Sequence, residues 1–193
     1  MVADKKPPWE LMNDPDIIVA LKQGKVSAID EIIRIYGDRL LRSACLLSGN
    51  QTDAQDLVQD TLVQVMQSIQ SFRGESLLYT WMHGILLNLI RRRLRQQSRL
   101  EYNNDLPDQM EAPPPMETER LDLEKASSAM RKALQALSPP HREIIVLRYF
   151  EAMKIEEIAR HLRISMGTAK SRLHYATQCL RNLMPENLNL FRS

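Results

Sequence analysis

The residues of this chain that could do chemistry are mainly hydrogen-bond donors suited to phosphate, and one group of them is a run of arginines. The stretch Leu89-Ile-Arg-Arg-Arg-Leu-Arg-Gln-Gln-Ser-Arg99 holds five arginines within nine residues. No Asp or Glu lies between Ser76 and Leu100, so no local carboxylate can neutralise them. Guanidinium groups bind phosphate through paired hydrogen bonds, so the stretch predicts contact with a nucleic-acid backbone. A solvated charged face is the alternative, and this stretch alone does not decide between the two.

Aromatic residues flank a glycine-containing loop just upstream of these arginines. Phe72, Tyr79 and Trp81 surround the sequence Arg73-Gly-Glu-Ser76. Aromatic rings stack on unpaired bases with little sequence preference, so this segment predicts a stacking surface for a base. Trp81 also lies on an apolar helical stripe, and we assign it to the core.

A second group of donors lies at 155–174, in the pattern of a helix-turn-helix. Ile158 and Leu162 mark the inner face of a short helix, and Ser165 is placed to cap the next helix. That second helix opens with polar donors, the end that meets base edges and phosphates in the major groove. A helical hairpin with a solvated face is the alternative. No acidic residue lies between Ile158 and Met184, which favours DNA binding.

One group of carboxylates is a candidate for chemistry: Asp53, Asp56 and Asp60 share a helix side with Gln59. The helix dipole explains acids in the first turn but not Asp60, so a surface for a partner protein is the functional interpretation. A nucleic-acid-processing enzyme is the alternative. No histidine, glycine loop or second acidic motif completes such a site, so we predict no catalytic residue.

Helical periodicity dominates the elements that must position these residues, and the alternation typical of strands is nearly absent. The predicted helices are 16–23, 27–47, 52–70, 77–97, 127–137, 138–151, 155–162 and 168–183. The third begins with Thr52 as its N-cap, and its predicted buried stripe is Leu57, Val58, Thr61, Leu62, Val65, Met66 and Ile69. The fourth is predicted to bury Leu78, Trp81, Met82, Ile85, Leu89 and Leu94. Pro107 and Pro113–Pro115 rule out a continuous helix from 101 to 121, which we interpret as a linker.

Composition narrows the class of protein. A chain of 193 residues allows one or two domains, and only 6 glycines argue against a glycine-rich nucleotide-binding fold. Cys45 and Cys179 belong to no Cys/His cluster, so we expect two buried free thiols and no metal site. No window of 18 residues is apolar and uncharged, and no apolar segment follows the N-terminus, so we expect a soluble, cytoplasmic protein without membrane insertion.

Charge is distributed unevenly although the total is only +2. Residues 1–100 have a net charge of +2, residues 101–125 of −6 and residues 126–193 of +6. An acidic segment between two neutral-to-basic blocks suggests polyanion-binding modules joined by a linker.

Taken together, these motifs resemble the bacterial extracytoplasmic-function (ECF, group 4) sigma factors of RNA polymerase. Asp53-Ala-Gln-Asp-Leu-Val-Gln-Asp60, Phe72-Arg-Gly-Glu-Ser76, Thr80-Trp-Met82 and Asn88 are similar to the second conserved region of that family. Leu137-Ser-Pro-Pro-His-Arg-Glu143, Leu147-Arg148, Ile155-Glu-Glu-Ile-Ala159 and Gly167-Thr-Ala-Lys-Ser-Arg-Leu-His174 are similar to the fourth region. The resemblance covers about residues 15–98 and 126–184, with the order and spacing of the motifs preserved.

The resemblance implies an all-α protein with two small helical domains joined by an acidic, proline-containing linker. The expected domains are 1–100 (region 2), 101–125 (linker) and 126–193 (region 4, a helix-turn-helix). The implied function is to bind core RNA polymerase and direct promoter-specific initiation, without catalytic activity, metal or other cofactor. The implied partners are the clamp helices and flap of the polymerase, promoter DNA and an anti-sigma factor. A stand-alone helix-turn-helix regulator is the alternative, and it leaves the first 100 residues unexplained.

The resemblance also assigns residues to three sites. Polymerase binding is expected at Asp53, Asp56, Gln59 and Asp60. Recognition and melting of the −10 element are expected at Phe72, Arg73, Gly74, Glu75, Ser76, Tyr79, His83, Asn88, Arg91, Arg92 and Arg95. Recognition of the −35 element is expected at Ser165, Thr168, Lys170, Ser171, Arg172, His174 and Tyr175. The linker is expected to occupy the RNA channel of the polymerase.

Three residues depart from the family pattern around the helix-turn-helix. Ala152 replaces a glycine that usually precedes it, Lys154 replaces an N-cap serine, and Arg163 replaces a glycine in the turn. These substitutions predict a shifted helix start or an altered turn.

Overall fold

The structure of this chain is a computed structural model that describes the backbone of residues 15–103 and 121–183 and the side chains of residues 15–97 and 128–183. Eight α-helices and no strand lie in that part of the chain. They are α1 (Pro15–Lys22), α2 (Val26–Ser48), α3 (Gln51–Ser68), α4 (Leu78–Asn103), α5 (Leu121–Ala136), α6 (Pro139–Ile145), α7 (Ile155–Leu162) and α8 (Met166–Leu183). The prediction of an all-α fold is confirmed.

Each predicted helix has a counterpart, and the differences are at helix ends. A 3₁₀ turn, Ile69–Ser71, follows α3, and a π-helical segment, Val146–Phe150, follows α6. Helix α4 continues to Asn103 and α5 begins at Leu121, because the prolines that break the pattern lie only at 107 and 113–115. Both helices therefore extend into the expected linker. Residues 104–120 lie outside the described part.

The chain divides into two compact units. In its described part, the N-terminal unit comprises residues 15–44 and 52–92, and the C-terminal unit comprises residues 45–51, 93–103 and 121–183. The domain boundaries taken from the sequence stay a prediction. None of the described helices is long and apolar enough to cross a bilayer.

Helix α4 presents a different face to the core of the N-terminal unit from the one predicted. Leu78 and Met82 are buried as expected, whereas Trp81, Ile85, Leu89 and Leu94 are only half-buried. The buried side chains of this helix are Leu78, Tyr79, Met82, His83, Leu86, Leu87 and Ile90. The buried face includes Tyr79, whose ring packs near Tyr36, and His83, which shares a hydrogen bond with Ser43; the apolar pattern alone does not signal either contact.

A buried arginine holds the corner between α5 and α6 in the C-terminal unit. Arg142 donates hydrogen bonds to the backbone carbonyls of Leu134, Gln135 and Leu137 at 2.9, 2.9 and 3.2 Å. These carbonyls lie at the end of α5, where helical partners are missing. Burial lowers the pKa of Arg142, and its bonds to the carbonyls offset the cost of desolvating the charge.

Candidate polymerase and promoter interfaces

Helix α3 turns its polar residues outward. Asp56, Gln59 and Asp60 are exposed and Asp53 is half-buried, while Ala54, Leu57, Thr61 and Val65 are buried on the opposite side. The predicted N-cap is wrong, because α3 begins at Gln51 and Thr52 therefore lies inside its first turn.

Two apolar side chains continue the exposed face of α3. Val63 is 51% exposed and Met66 is 48% exposed, so the prediction that Met66 is buried is wrong. Residues 56, 59, 63 and 66 follow spacings of three and four and share one helix face. The outward face of α3 therefore combines carboxylates with apolar surface, and its apolar end was missed because the buried stripe is narrower than the pattern indicated.

The loop 73–76 is exposed, but the rings beside it are not. Arg73, Gly74, Glu75 and Ser76 are exposed, whereas Phe72 is 4% exposed and Tyr79 is 6% exposed. The Phe72 ring lies 5.2 Å from the Trp81 ring, centroid to centroid. The rings of Phe72 and Tyr79 are therefore not open to solvent in this structure, and their part in −10 recognition stays a prediction.

Tyr79 and His83 belong to a polar cluster inside the N-terminal unit. Ser43 Oγ and His83 Nε2 share a hydrogen bond of 2.7 Å, and the Tyr79 ring lies 5.5 Å from Tyr36 and 6.0 Å from His83. The Arg39 guanidinium lies 3.9 Å above the Tyr79 ring. Burial, with a further contribution from Arg39, lowers the pKa of His83 to about 3. The His83 ring is 2% exposed and so lies inside the unit, and its part in −10 recognition stays a prediction.

The outer side of α4 carries the remaining residues predicted for the −10 element. Asn88, Arg92 and Arg95 are exposed and Arg91 is half-buried. The side chains of residues 98–127 lie outside the described part, including that of Arg99.

The helix-turn-helix is present as α7, a short turn and α8. Ser165 Oγ accepts a hydrogen bond of 3.0 Å from the backbone N–H of Thr168, which confirms the predicted cap. Helix α8 begins at Met166, two residues before the predicted start. The predicted −35 residues Ser165, Thr168, Lys170, Ser171, His174 and Tyr175 are exposed, and Arg172 is half-buried. Ala169, Ala176 and Leu180 anchor the opposite side, so the donors face outward.

The departures from the family pattern leave the helix start unchanged. Helix α7 begins at Ile155 as predicted, and the Lys154 N–H donates a 2.7 Å hydrogen bond to Glu157 Oε2, half of a capping box. Ala152 and Arg163 have φ angles of 54° and 56°, so both take the left-handed conformation that glycine adopts without a steric penalty. The strain of this conformation therefore falls on two residues with side chains.

The cysteines are not both buried. Cys45 is half-buried and burial raises the pKa of its thiol, whereas Cys179 is exposed on α8. The prediction of two buried thiols is wrong for both residues. No group of three potential metal ligands lies among the described residues.

Comparison with known proteins matches both units to one family. A model of sigma-70 region 2 matches residues 32–100, and a model of sigma-70 region 4 matches residues 133–182. The chain is 31% identical over 158 residues to RNA polymerase sigma-E factor of Streptomyces coelicolor, covering 82% of this chain and 86% of that protein. This chain therefore belongs to the sigma-70 family of transcription initiation factors.

Further matches assign this chain to a subgroup of the sigma-70 family. It is 32% identical to ECF RNA polymerase sigma factor SigE of Mycolicibacterium smegmatis, covering 86% of this chain and 65% of that relative. The sigma factor RpoE of Bartonella quintana, solved with the anti-sigma factor NepR, matches with a TM-score of 0.69 and 30% identity over 82% of this chain and 97% of that one. CnrH, solved with the cytosolic domain of CnrY, shares the fold at a TM-score of 0.63 and 24% identity, over 87% of this chain and 94% of that one. Within the family, this chain is an ECF sigma factor.

Proposed function

We propose that this chain binds core RNA polymerase and directs promoter-specific initiation through one contact with the −10 element and one with the −35 element. One observation carries the proposal: region 2 and region 4 occur in one chain, and each turns a face of polar side chains to solvent. A stand-alone regulator needs only the helix-turn-helix, and the outward face of α3 would then have no function.

The polymerase contact is proposed for the outward face of α3. Asp56, Gln59 and Asp60 supply charge and hydrogen-bond acceptors, and Val63 and Met66 supply apolar area. Such a combination suits a partner helix with basic and apolar residues, because apolar burial gives affinity and charge complementarity gives orientation. The clamp helices are the proposed partner, and Asp53 supports the same end of the face.

The −10 contact is proposed for the exposed loop and the outer side of α4. Arg73, Glu75 and Ser76 offer donors and acceptors to an unpaired base, and Gly74 lets the backbone approach it. Asn88, Arg91, Arg92 and Arg95 are proposed to hold the separated strand and the flanking duplex through its phosphates. Phe72 and Tyr79 support this surface from within.

The −35 contact is proposed for the N-terminal half of α8. Lys170, Ser171 and His174 lie on its outward side, where a recognition helix meets the major groove. Thr168 and Ser165 lie at the helix start, close to where phosphate binds most readily. Arg172 and Tyr175 extend the surface, and the same unit is proposed to contact the polymerase flap.

The chain is proposed to act without catalytic chemistry or a cofactor, in the cytoplasm. The solved relative RpoE of Bartonella quintana was determined with the anti-sigma factor NepR. We propose that an anti-sigma factor regulates this chain as well.

Charge reversal on α3 tests the proposal. Asp56→Arg is expected to weaken binding to core polymerase by about thirty-fold or more, because losing one partner of a buried, hydrogen-bonded charge pair in an interface costs about 2 kcal/mol or more. Native co-purification with bacterial core polymerase and run-off transcription from pooled genomic fragments would both fall. Asp38→Arg, the same change at an exposed position of α2, is the matched control. Wild-type recovery of core by the Asp56→Arg protein would contradict the assignment, and specific duplex binding without core would favour the stand-alone regulator.

A further inference from the structure

The last residue of α1 contacts the segment that leads into the exposed loop. Lys22 Nζ donates a 3.0 Å hydrogen bond to the backbone carbonyl of Phe72. In return, Gln70 Nε2 donates a 2.7 Å hydrogen bond to the backbone carbonyl of Lys22. Two side-chain to backbone bonds thus tie Lys22 to Phe72 and to Gln70, which lie 50 and 48 positions later in the chain.

Phe72 is held from three directions. Its N–H donates to the carbonyl of Ile69 at 3.0 Å, which closes the 3₁₀ turn. Its ring is buried against Trp81, and its carbonyl accepts from Lys22. That carbonyl belongs to the peptide bond that joins Phe72 to Arg73, so its orientation sets the direction in which the loop leaves the unit.

The loop itself has little to fix its conformation. Residues 73–76 are exposed, and Gly74 has a φ angle of +75° with no atom near enough to restrain an added side chain. At the far end, the Trp81 N–H donates to the carbonyl of Leu77 at 3.1 Å, and Leu78 is buried. The exit of the loop is therefore held by α4, and the entry is held by Phe72 and its bond to Lys22.

We propose that Lys22 is a positioning residue for the −10 loop, and that Gln70 aligns α1 for this task. The inference rests on the proposed function, since it assigns to α1 a part in base selection by residues 73–76. Lys22 touches no DNA in this scheme. It acts by fixing the Phe72 carbonyl, through a charge-assisted hydrogen bond of the kind that contributes more than a neutral one.

Tryptic cleavage after Arg73 in the full-length chain tests, independently of transcription, whether Lys22 fixes the entry of the loop 73–76. Lys22→Met keeps the aliphatic stem and removes the donors. Lys22→Arg restores a donor. Lys25→Met is the matched control, because Lys25 is exposed and its hydrogen bonds within the described residues are backbone ones.

Cleavage reports the population of the opened loop segment. Loss of one hydrogen bond is expected to raise the cleavage rate of the Lys22→Met protein by about five-fold. The Lys22→Arg and Lys25→Met proteins are expected to match the wild-type rate. Equal rates for Lys22→Met and wild type would overturn the inference.

A transcription assay tests the consequence for base selection. The template is a promoter recovered with wild-type holoenzyme from pooled genomic fragments, together with its single-base −10 variants. The Lys22→Met holoenzyme is expected to lose discrimination among these templates while binding core as wild type does. Retained discrimination would overturn the role in base selection. If the wild-type protein gives no promoter-specific transcript, the proposed function itself is overturned. The tryptic cleavage rates test only whether Lys22 holds the loop 73–76, so the two failures are distinguishable.

Discussion

His83 is a histidine that stays neutral where most histidines begin to titrate. Its ring is buried, its Nε2 shares a hydrogen bond with Ser43, and the positive charge of Arg39 lies nearby. These factors lower its pKa from the ordinary 6.5 to about 3. In the unfolded chain the same imidazole takes up a proton near pH 6.5. Between about pH 3 and pH 6.5, His83 therefore binds a proton more readily in the unfolded state than in the folded state.

This difference predicts a loss of stability in mild acid. Because the pKa is depressed in the folded state, the stabilisation is complete above about pH 6.5 and falls as the pH drops toward 3. Between pH 7.5 and 5.5 the free energy of unfolding is expected to fall by about 1.4 kcal/mol through this residue alone. Urea unfolding of wild type and His83→Gln at both pH values measures it, since glutamine can bond Ser43 but does not titrate. The same pH dependence in both proteins would exclude His83 as the cause.

The burial of Tyr79 and His83 could not be predicted from the sequence, and the reason is physical. Both are polar and stand beside an exposed loop, and their partners Tyr36 and Ser43 lie some 40 positions earlier. Only tertiary packing brings these groups together. The outward position of Asp56 and Gln59 could be predicted, because the neighbouring apolar residues of the same helix determine it locally.

Among the helices, the helix-turn-helix has residues with side chains at two positions whose backbone favours glycine. Ala152 and Arg163 both adopt left-handed conformations, which cost a residue with a Cβ atom about 1–2 kcal/mol. The Arg163 N–H still bonds the carbonyl of Arg160 at 3.2 Å, and the Ile164 N–H bonds that of Ala159 at 2.9 Å. The C-terminal end of α7 therefore forms although Arg163 has a side chain. The helix-turn-helix retains backbone strain that glycine at residues 152 and 163 would remove.

Ala152→Gly and Arg163→Gly are therefore expected to stabilise the chain. Relief of the left-handed strain, less the greater freedom of glycine in the unfolded state, predicts a gain of roughly 0.5–1 kcal/mol for each. Thermal unfolding of the full chain measures it. Arg160→Gly is the matched control, because Arg160 lies within α7, where glycine is expected to destabilise by about 1 kcal/mol. Destabilisation by Arg163→Gly equal to that of the control would show that the left-handed backbone carries no strain.

The helix ends show which helix bounds can be predicted from sequence periodicity and which cannot. The bounds of α7 agree with prediction because a strong apolar pattern, acidic residues in its first turn and a left-handed residue at its end all coincide. The ends of α4 and α5 were predicted less well, since residues 98–103 and 121–126 contain no proline or glycine that would break a helix. The π-helical segment Val146–Phe150 was not predicted, because a single turn with i→i+5 hydrogen bonds is too short to establish an apolar period of its own.

For the whole molecule, charge segregation is the feature that neither unit explains alone. Residues 101–125 contain 2 basic and 8 acidic residues, a net charge of −6, and residues 126–193 have a net charge of +6. A tether between two DNA-binding units needs no charge of its own. A channel lined with positive charge would however attract an acidic peptide as it attracts nucleic acid. A polymerase channel that holds RNA must have such a lining. We therefore expect the acidic segment to contribute to binding core polymerase.

Neutralising the segment tests this expectation. The residues to replace with Asn or Gln are Asp105, Asp108, Glu111, Glu117 and Glu119, all of which lie outside the described part of the chain. Holoenzyme formation is expected to weaken, and the defect is expected to shrink as salt screens the remaining charges. A linker of equal length and equal acidity but scrambled order is the control, and it should largely preserve binding because a field of this kind depends on charge more than on order. Full core affinity and full-length transcript yield for the neutral chain at every salt concentration would leave the segment as a tether alone.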